Sequence, residues 1–223
     1  MRVIRKNWLM LFLTALLVTG LMVGYGRKKE EVVQETKDYS TLISEWQDFY
    51  QGLGIKVDFS NLQIPGKQQG FNRLIIVAEG MTPQFLYDKC KGLFLCGRWT
   101  DKSLDEVVTS DRTAKNNSYA VWVRNRVEAD EELKNLSAND LKKKSIPGIT
   151  LEERLIYELK YFQETGEHLD IDHSTLCSGS RCSVTLSPAA AVPNVGWGDG
   201  FLLVYYFYPD DAFPSLRARQ VVS

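Results

Sequence analysis

Histidine is almost missing from this chain: His168 and His173 are the only two in 223 residues. That leaves little for histidine-based metal binding or acid–base chemistry. Net charge is missing as well. Lys and Arg number 27 against 28 Asp and Glu, a formal charge of -1. No basic field exists to grip a phosphate backbone, which argues against nucleic acid as the main partner. The four cysteines form two local pairs, Cys90/Cys96 and Cys177/Cys182. The first spacing, C-x₅-C, is wider than the usual zinc pair. Disulfides become possible if the domain is exported, and unpaired buried thiols are the alternative. No internal repeat occurs. "CSGSR" lacks the second glycine of a nucleophile elbow, and Gly196, Gly198 and Gly200 in "GWGDG" have no strand-to-helix context for a phosphate loop. No cofactor and no metal is expected.

What is present is ordinary globular material. Hydrophobic content of 44% and charged content of 25% call for a packed core, and the length suits one domain with extra elements. The basic start "MRVIRK" precedes "NWLMLFLTALLVTGLMVGYG", which carries no charge before Arg27. Roughly 18 apolar residues at 1.5 Å each reach about 27 Å, near the thickness of a bilayer's hydrocarbon. Residues 1–25 are therefore expected to be a membrane anchor, with a cleaved signal peptide as the rival. The domain beyond it is expected outside the cytoplasm, on a single-pass membrane protein. Residues 26–70 are expected to be a charged and helical spacer, with Leu42, Trp46, Phe49 and Leu53 on one helical face and "SNLQIPGKQQG" as a linker.

Residues 71–223 are expected to form an α+β domain. "RLIIVAEG" reads as a strand, and Thr82 with Pro83 opens a helix. Ser103 and Glu106 have capping-box spacing. "SYAVWVRNRV" reads as a strand, and "EADEELKNLSANDLKKK" runs from acidic to basic as a helix dipole favours. In "TLEERLIYELKYFQETG", Thr150 and Glu153 form a second capping box; Leu151, Leu155, Leu159 and Phe162 make a buried stripe, and Gly166 stops the helix. From His168 to Gly200 the sequence reads as loop-rich, with Pro188, Pro193 and several glycines. Asp170, Asp172 and His173 invite a metal or proton-transfer reading, but aspartates also satisfy turns, and no further histidine completes a set. Cys177 would need His168 or His173 as a base.

The C-terminal segment is unusual in composition. Between Arg181 and Arg217 there is no Lys, Arg, Glu, Gln, His, Met or Ile. "FLLVYYFY" alternates Phe201, Leu203, Tyr205 and Phe207 on one face with Leu202, Val204, Tyr206 and Tyr208 on the other. Such rings are core, ligand-contacting, or packed on lipid or a partner helix.

The order of "SYAVWVRNRV", two helices, a loop ending "LCSGSR", and terminal strands "FLLVYYFY" and "LRARQVVS" resembles a C-type-lectin-like fold. More narrowly it is similar to the variable proteins diversified by bacterial retroelements, in which adenine-directed mutagenesis rewrites a C-terminal segment. The likeness runs from about Arg73 to the end, and 182–216 would be the variable-looking part. It implies framework at Val192, Pro193, Trp197, Leu203, Val204, Pro209, Leu216, Arg217 and Arg219. It implies ligand-facing positions at Asn194, Asp199, Phe201, Tyr205, Phe207, Asp211 and Phe213. The chain also resembles bacterial proteins of no established activity that carry "VEADEELKNLS" and "LRARQVVS"-like endings. The lectin calcium pattern is not evident. The expectation is a non-enzymatic, surface-displayed module for a protein or glycan ligand. A structural envelope protein with the aromatic segment as core is the alternative, and a Cys/His or Asp/His hydrolase a lower one.

Overall fold

A computed structural model describes residues 39–184 and 187–223. The expected anchor or signal peptide lies outside the described residues. Among those described, no helix is long and apolar enough to cross a membrane.

The fold is α+β. In chain order the elements are α1 (Ser40–Gly52), β1 (Arg73–Val77), α2 (Pro83–Lys91), β2 (Cys96–Arg98), α3 (Leu104–Val107), β3 (Val108–Ser110) and β4 (Tyr119–Val123). Then follow a 3₁₀ turn (Glu131–Leu133), α4 (Ala138–Lys143), α5 (Leu151–Thr165), β5 (Ser174–Leu176), β6 (Ser180–Val184), β7 (Ser187–Gly198), β8 (Phe201–Phe207) and β9 (Leu216–Ala218). β1 and β4 form an antiparallel pair. The larger sheet runs β2-β8-β7-β5-β9, and β6 joins β7 to β3.

Local chemistry accounts for the helix ends. The Thr82 hydroxyl accepts from the Phe85 amide, with Pro83 at the first helical position. Thr150 and Glu153 cap α5 reciprocally, and Gly166 closes it in the left-handed region at φ 74°. Three expectations are corrected. Ser103 accepts from the Asp105 amide instead of sharing a box with Glu106, and α3 is only four residues long. The acidic-to-basic stretch is not one helix: Asn135 takes φ 57°, and Ser137 with Asp140 starts α4 afresh. The region after His168, expected to be loop-rich, carries three strands, β5 to β7, between its turns.

The strands of that region tolerate proline for a reason visible in their pairing. β7 lies beside β6 as far as Ala191 and beside β5 from Asn194 onward. Pro193 sits at the changeover, where a missing N–H costs no ladder bond, and its carbonyl accepts from Cys177. Asp199 and Gly200, at φ 53° and 80°, make the two-residue turn into β8 that an Asp-Gly pair favours.

The main core lies between α5, α1, the β1/β4 pair and the inner face of the large sheet, where Leu202 and Val204 are fully buried. α1 is not a spacer in this arrangement: Trp46, Phe49 and Tyr50 enter that core, and the Tyr50 hydroxyl donates to Ile76 O at 2.8 Å while accepting from Ala78 N. The described residues form one compact unit. A second, smaller core joins Leu133, Leu141, Leu176, Val192 and Leu216. It covers one end of the outer face of the sheet and leaves the other end open.

Candidate functional site

The open end of that outer face is built by strand pairing. Directly opposed residues share a face, so Phe201, Leu203, Tyr205 and Phe207 stand beside Gly198, Gly196, Asn194 and Val192 of β7. On the other side Gly97 of β2 lies in register with Leu203. The glycines keep this surface low. A Cβ on Gly97 would come within 3.0 Å of one Leu203 methyl, and a Cβ on Gly198 within 3.1 Å of the other. The result is a shallow floor at Leu203 with rings rising at either end: Phe201 is 39% and Tyr205 46% exposed. Leu95 precedes β2, accepts a hydrogen bond from the Leu202 amide, and is 64% exposed. It extends the apolar edge beyond Phe201.

The seven positions named from sequence divide. Asp199, Phe201, Tyr205 and Phe213 are exposed. Phe207 is only half exposed, because it packs against the smaller core and its ring meets Phe213 at 5.3 Å. Asp211 holds its own turn, accepting from the Tyr208 amide at 2.7 Å. Asn194 is buried, and its Oδ1 has no hydrogen-bond partner among the described residues. An orphaned amide oxygen beneath Tyr205 is an acceptor without a donor, an arrangement that costs stability unless something supplies one. Sequence reading missed Leu95; an apolar residue between a helix stop and a strand was the available signal. The framework positions divide as well: Val192, Val204 and Leu216 are fully buried, Pro193, Arg217 and Arg219 are buried, and Trp197, Leu203 and Pro209 are only half-buried.

The groups that invited a catalytic reading do not converge. Asp170 is fully buried at φ 56°, where its Oδ1 accepts from the Ala129 amide at 2.8 Å and from Arg219 Nη2 at 2.7 Å. Its Oδ2 accepts from Arg154 Nε at 2.8 Å and from the Thr175 hydroxyl at 2.5 Å. Burial pushes the Asp170 carboxyl up, but Arg219 and Arg154 outweigh it and hold the group below its ordinary value. Arg154 continues to Glu158 at 2.8 Å, which takes His168 Nδ1 at 2.9 Å and Trp197 Nε1 at 3.2 Å. His168 itself is packed between rings, stacked on Phe162 and 3.6 Å from the Trp197 centroid. This buried chain ties α5 to β5, β7 and the segment after β9. It is a buried, architectural set of ion pairs and hydrogen bonds. Asp172 is exposed, and His173 pairs with Glu128 at 3.1 Å.

Cys177 has no base. Its thiol donates to Thr175 O, neither histidine is bonded to it, and burial pushes it well above the usual thiol range. All four cysteines are free thiols. Among the described residues no group of three or more His, Cys, Asp or Glu could hold a metal ion.

Comparison with protein-family models, with characterised proteins and with solved structures finds no match to this chain.

Proposed function

We propose that this protein is a non-enzymatic binding module of C-type-lectin-like type, of the kind bacterial retroelements diversify. Its contact surface is the open outer face of β8 and β7. In this reading residues 1–25 tether the domain to a membrane and display it outside the cytoplasm, and the ligand is a protein or a glycan. One observation carries the proposal: Phe201 and Tyr205 project outward from a strand whose alternate residues, Leu202 and Val204, are fully buried. Rigid rings on a fixed strand lose little entropy when a ligand covers them. Asn194, with its partnerless Oδ1 beside Tyr205, adds an acceptor for a donor on the ligand.

The packing of Val192 and half-buried Phe207 against α4 supports the alternative, a structural envelope protein, for that end of the face alone. The hydrolase alternative is not favoured by any grouping of Cys177, the histidines and the aspartates. The test is to screen the displayed domain against a glycan array and a panel of bacterial surface proteins. Any ligand found is then measured against a Phe201→Ala/Tyr205→Ala variant. Covering the exposed part of each ring is worth about 2 kcal/mol, about 4 kcal/mol for the pair, so a loss approaching roughly 1000-fold is expected. Unchanged affinity with an intact fold would overturn the proposal. A near-copy of the 3′ coding sequence beside a reverse-transcriptase gene, differing at adenines, is the expected genomic signature.

A further inference from the structure

One margin of β8 runs on after its neighbour stops. β2 lies beside β8 only as far as the Arg98–Val204 pair, while β8 continues to Phe207. Pro193 shows which way the remaining backbone groups point. It stands opposite Tyr206, has no N–H, and turns its carbonyl toward β5, where it accepts from the Cys177 amide at 2.8 Å. Opposed residues of an antiparallel pair that do not bond each other direct their backbone groups outward. The N–H and C=O of Tyr206 therefore face away from β7, on the side where β2 has ended. The alternation on either side agrees. The Leu202 amide donates to Leu95 O at 2.8 Å on that margin, and the Tyr208 amide donates to Asp211 Oδ2 at 2.7 Å. Half-buried Tyr206, between them, has no hydrogen-bond partner on that side among the described residues. Trp99, the first residue past β2, sets its ring edge-on to Tyr206 at 6.1 Å, and its buried Nε1 has no acceptor among the described residues. Two other margins are closed. The Tyr50 hydroxyl bonds Ile76 O and Ala78 N beside β1, and Leu216 O and Ala218 O of β9 accept from the Asn135 and Asp130 amides.

An unpaired strand margin is a template for another extended chain. The charge beside this one has a single sign. Between Arg181 and Arg217 the only charged residues are Asp199, Asp210 and Asp211. Asp210 and Asp211 lie just past the end of β8, and their bonds go to neutral donors, the Asn139 side-chain amide and the Tyr208 backbone. Arg98, the basic residue of β2, is committed to Gln84 Oε1 at 2.7 Å and to Asp101 O. We infer that β8 takes a basic extended peptide as an added strand, paired to the Tyr206 backbone in the line of β2, with a Lys or Arg side chain toward Asp210 and Asp211. Main-chain bonds hold such a strand, and its alternate side chains lie beside Tyr205 and Phe207. The inference rests on the proposed contact face and narrows its ligand from protein or glycan to a strand-forming segment of a protein.

The experiment uses the full chain with two capped hexapeptides at millimolar concentration, Lys-Val-Thr-Val-Thr-Lys and Glu-Val-Thr-Val-Thr-Glu. A third peptide is the basic one N-methylated throughout, so that it has no backbone donor. Hydrogen exchange at the Tyr206 amide is the readout. The basic peptide is expected to slow it by about tenfold or more, the acidic one to bind roughly tenfold more weakly, and the methylated one to give no protection. Asp210→Asn/Asp211→Asn keeps both acceptors and removes the charge, so it should erase the preference for the basic peptide. Unchanged exchange at Tyr206 with the basic peptide, equal binding of the methylated analogue, or a basic preference that survives the double substitution would overturn the inference. The contact face itself stands or falls separately, on whether Phe201→Ala/Tyr205→Ala weakens a ligand found in the screen.

Discussion

Replacing Asp170 by Asn tests whether the buried ionic chain holds the fold together. The substitution keeps shape and one acceptor oxygen but removes the charge that Arg154 and Arg219 both face. Two guanidinium groups would then be left with Glu158 alone, in a place with no access to water. Leaving a buried charge uncompensated costs about 3–5 kcal/mol. For a unit of this size each kcal/mol lowers the midpoint by about 2–4 °C, so a fall of about 6–20 °C is expected. Thermal and urea unfolding of the two proteins would measure it. The pH dependence has a definite sign. Asp170 is held below its ordinary value of 3.8, so its contribution is complete above that pH and fades as pH falls through the folded value. The gap between wild type and variant should be constant at neutral pH and narrow in acid below about 4. A gap under about 1 kcal/mol at pH 7, or one that widens in acid, would refute the reasoning.

Two further outcomes follow from contacts on the same framework. Gly179→Ala would bring a Cβ to 2.5 Å from the Gly148 carbonyl, a backbone atom that cannot rotate away. A loss of about 1–3 kcal/mol in urea unfolding is expected, and a neutral result would mean the β5–β6 connection adjusts freely. Thiol titration should find four free groups in denaturant but, in the native state, slow reaction at Cys96 alone. That thiol is half-buried and pushed up to about 11, whereas Cys90, Cys177 and Cys182 are sealed; fewer than four thiols on unfolding would reveal a disulfide.

What could be read from sequence was what is decided locally. Thr150, Glu153 and Gly166 announce α5 because each acts within one helical turn. Alternation in "FLLVYYFY" assigned the two faces of β8, since side chains on a strand can only alternate. The failures were tertiary. β5 to β7 read as loop-rich because Pro193 and the glycines punctuate them, and only the change of neighbour at Ala191 makes that proline harmless. α1 read as a spacer because nothing in its own sequence says that Tyr50 will bond to β1. Among the candidate site residues, Phe207 shares a face with Phe201 and Tyr205 as alternation requires, but the packing of α4 against that end is a tertiary contact the strand's own sequence does not announce.

The same division explains how one strand can keep its structure while its outward residues change. Leu202 and Val204 point into the main core at full burial, and their truncation would cost about 2–5 kcal/mol each. Phe201 and Tyr205, one position away along the chain, face outward and lose little on replacement, because half of each ring already meets water. The hairpin register is fixed independently of them, by the Asp199–Gly200 turn and by seven residue pairs with β7. Glycines at 97 and 198 hold the floor around Leu203 flat whatever stands on either side. Stability and surface character are therefore carried by alternate residues of a single strand, so sequence variation at the outward positions is physically separable from the fold.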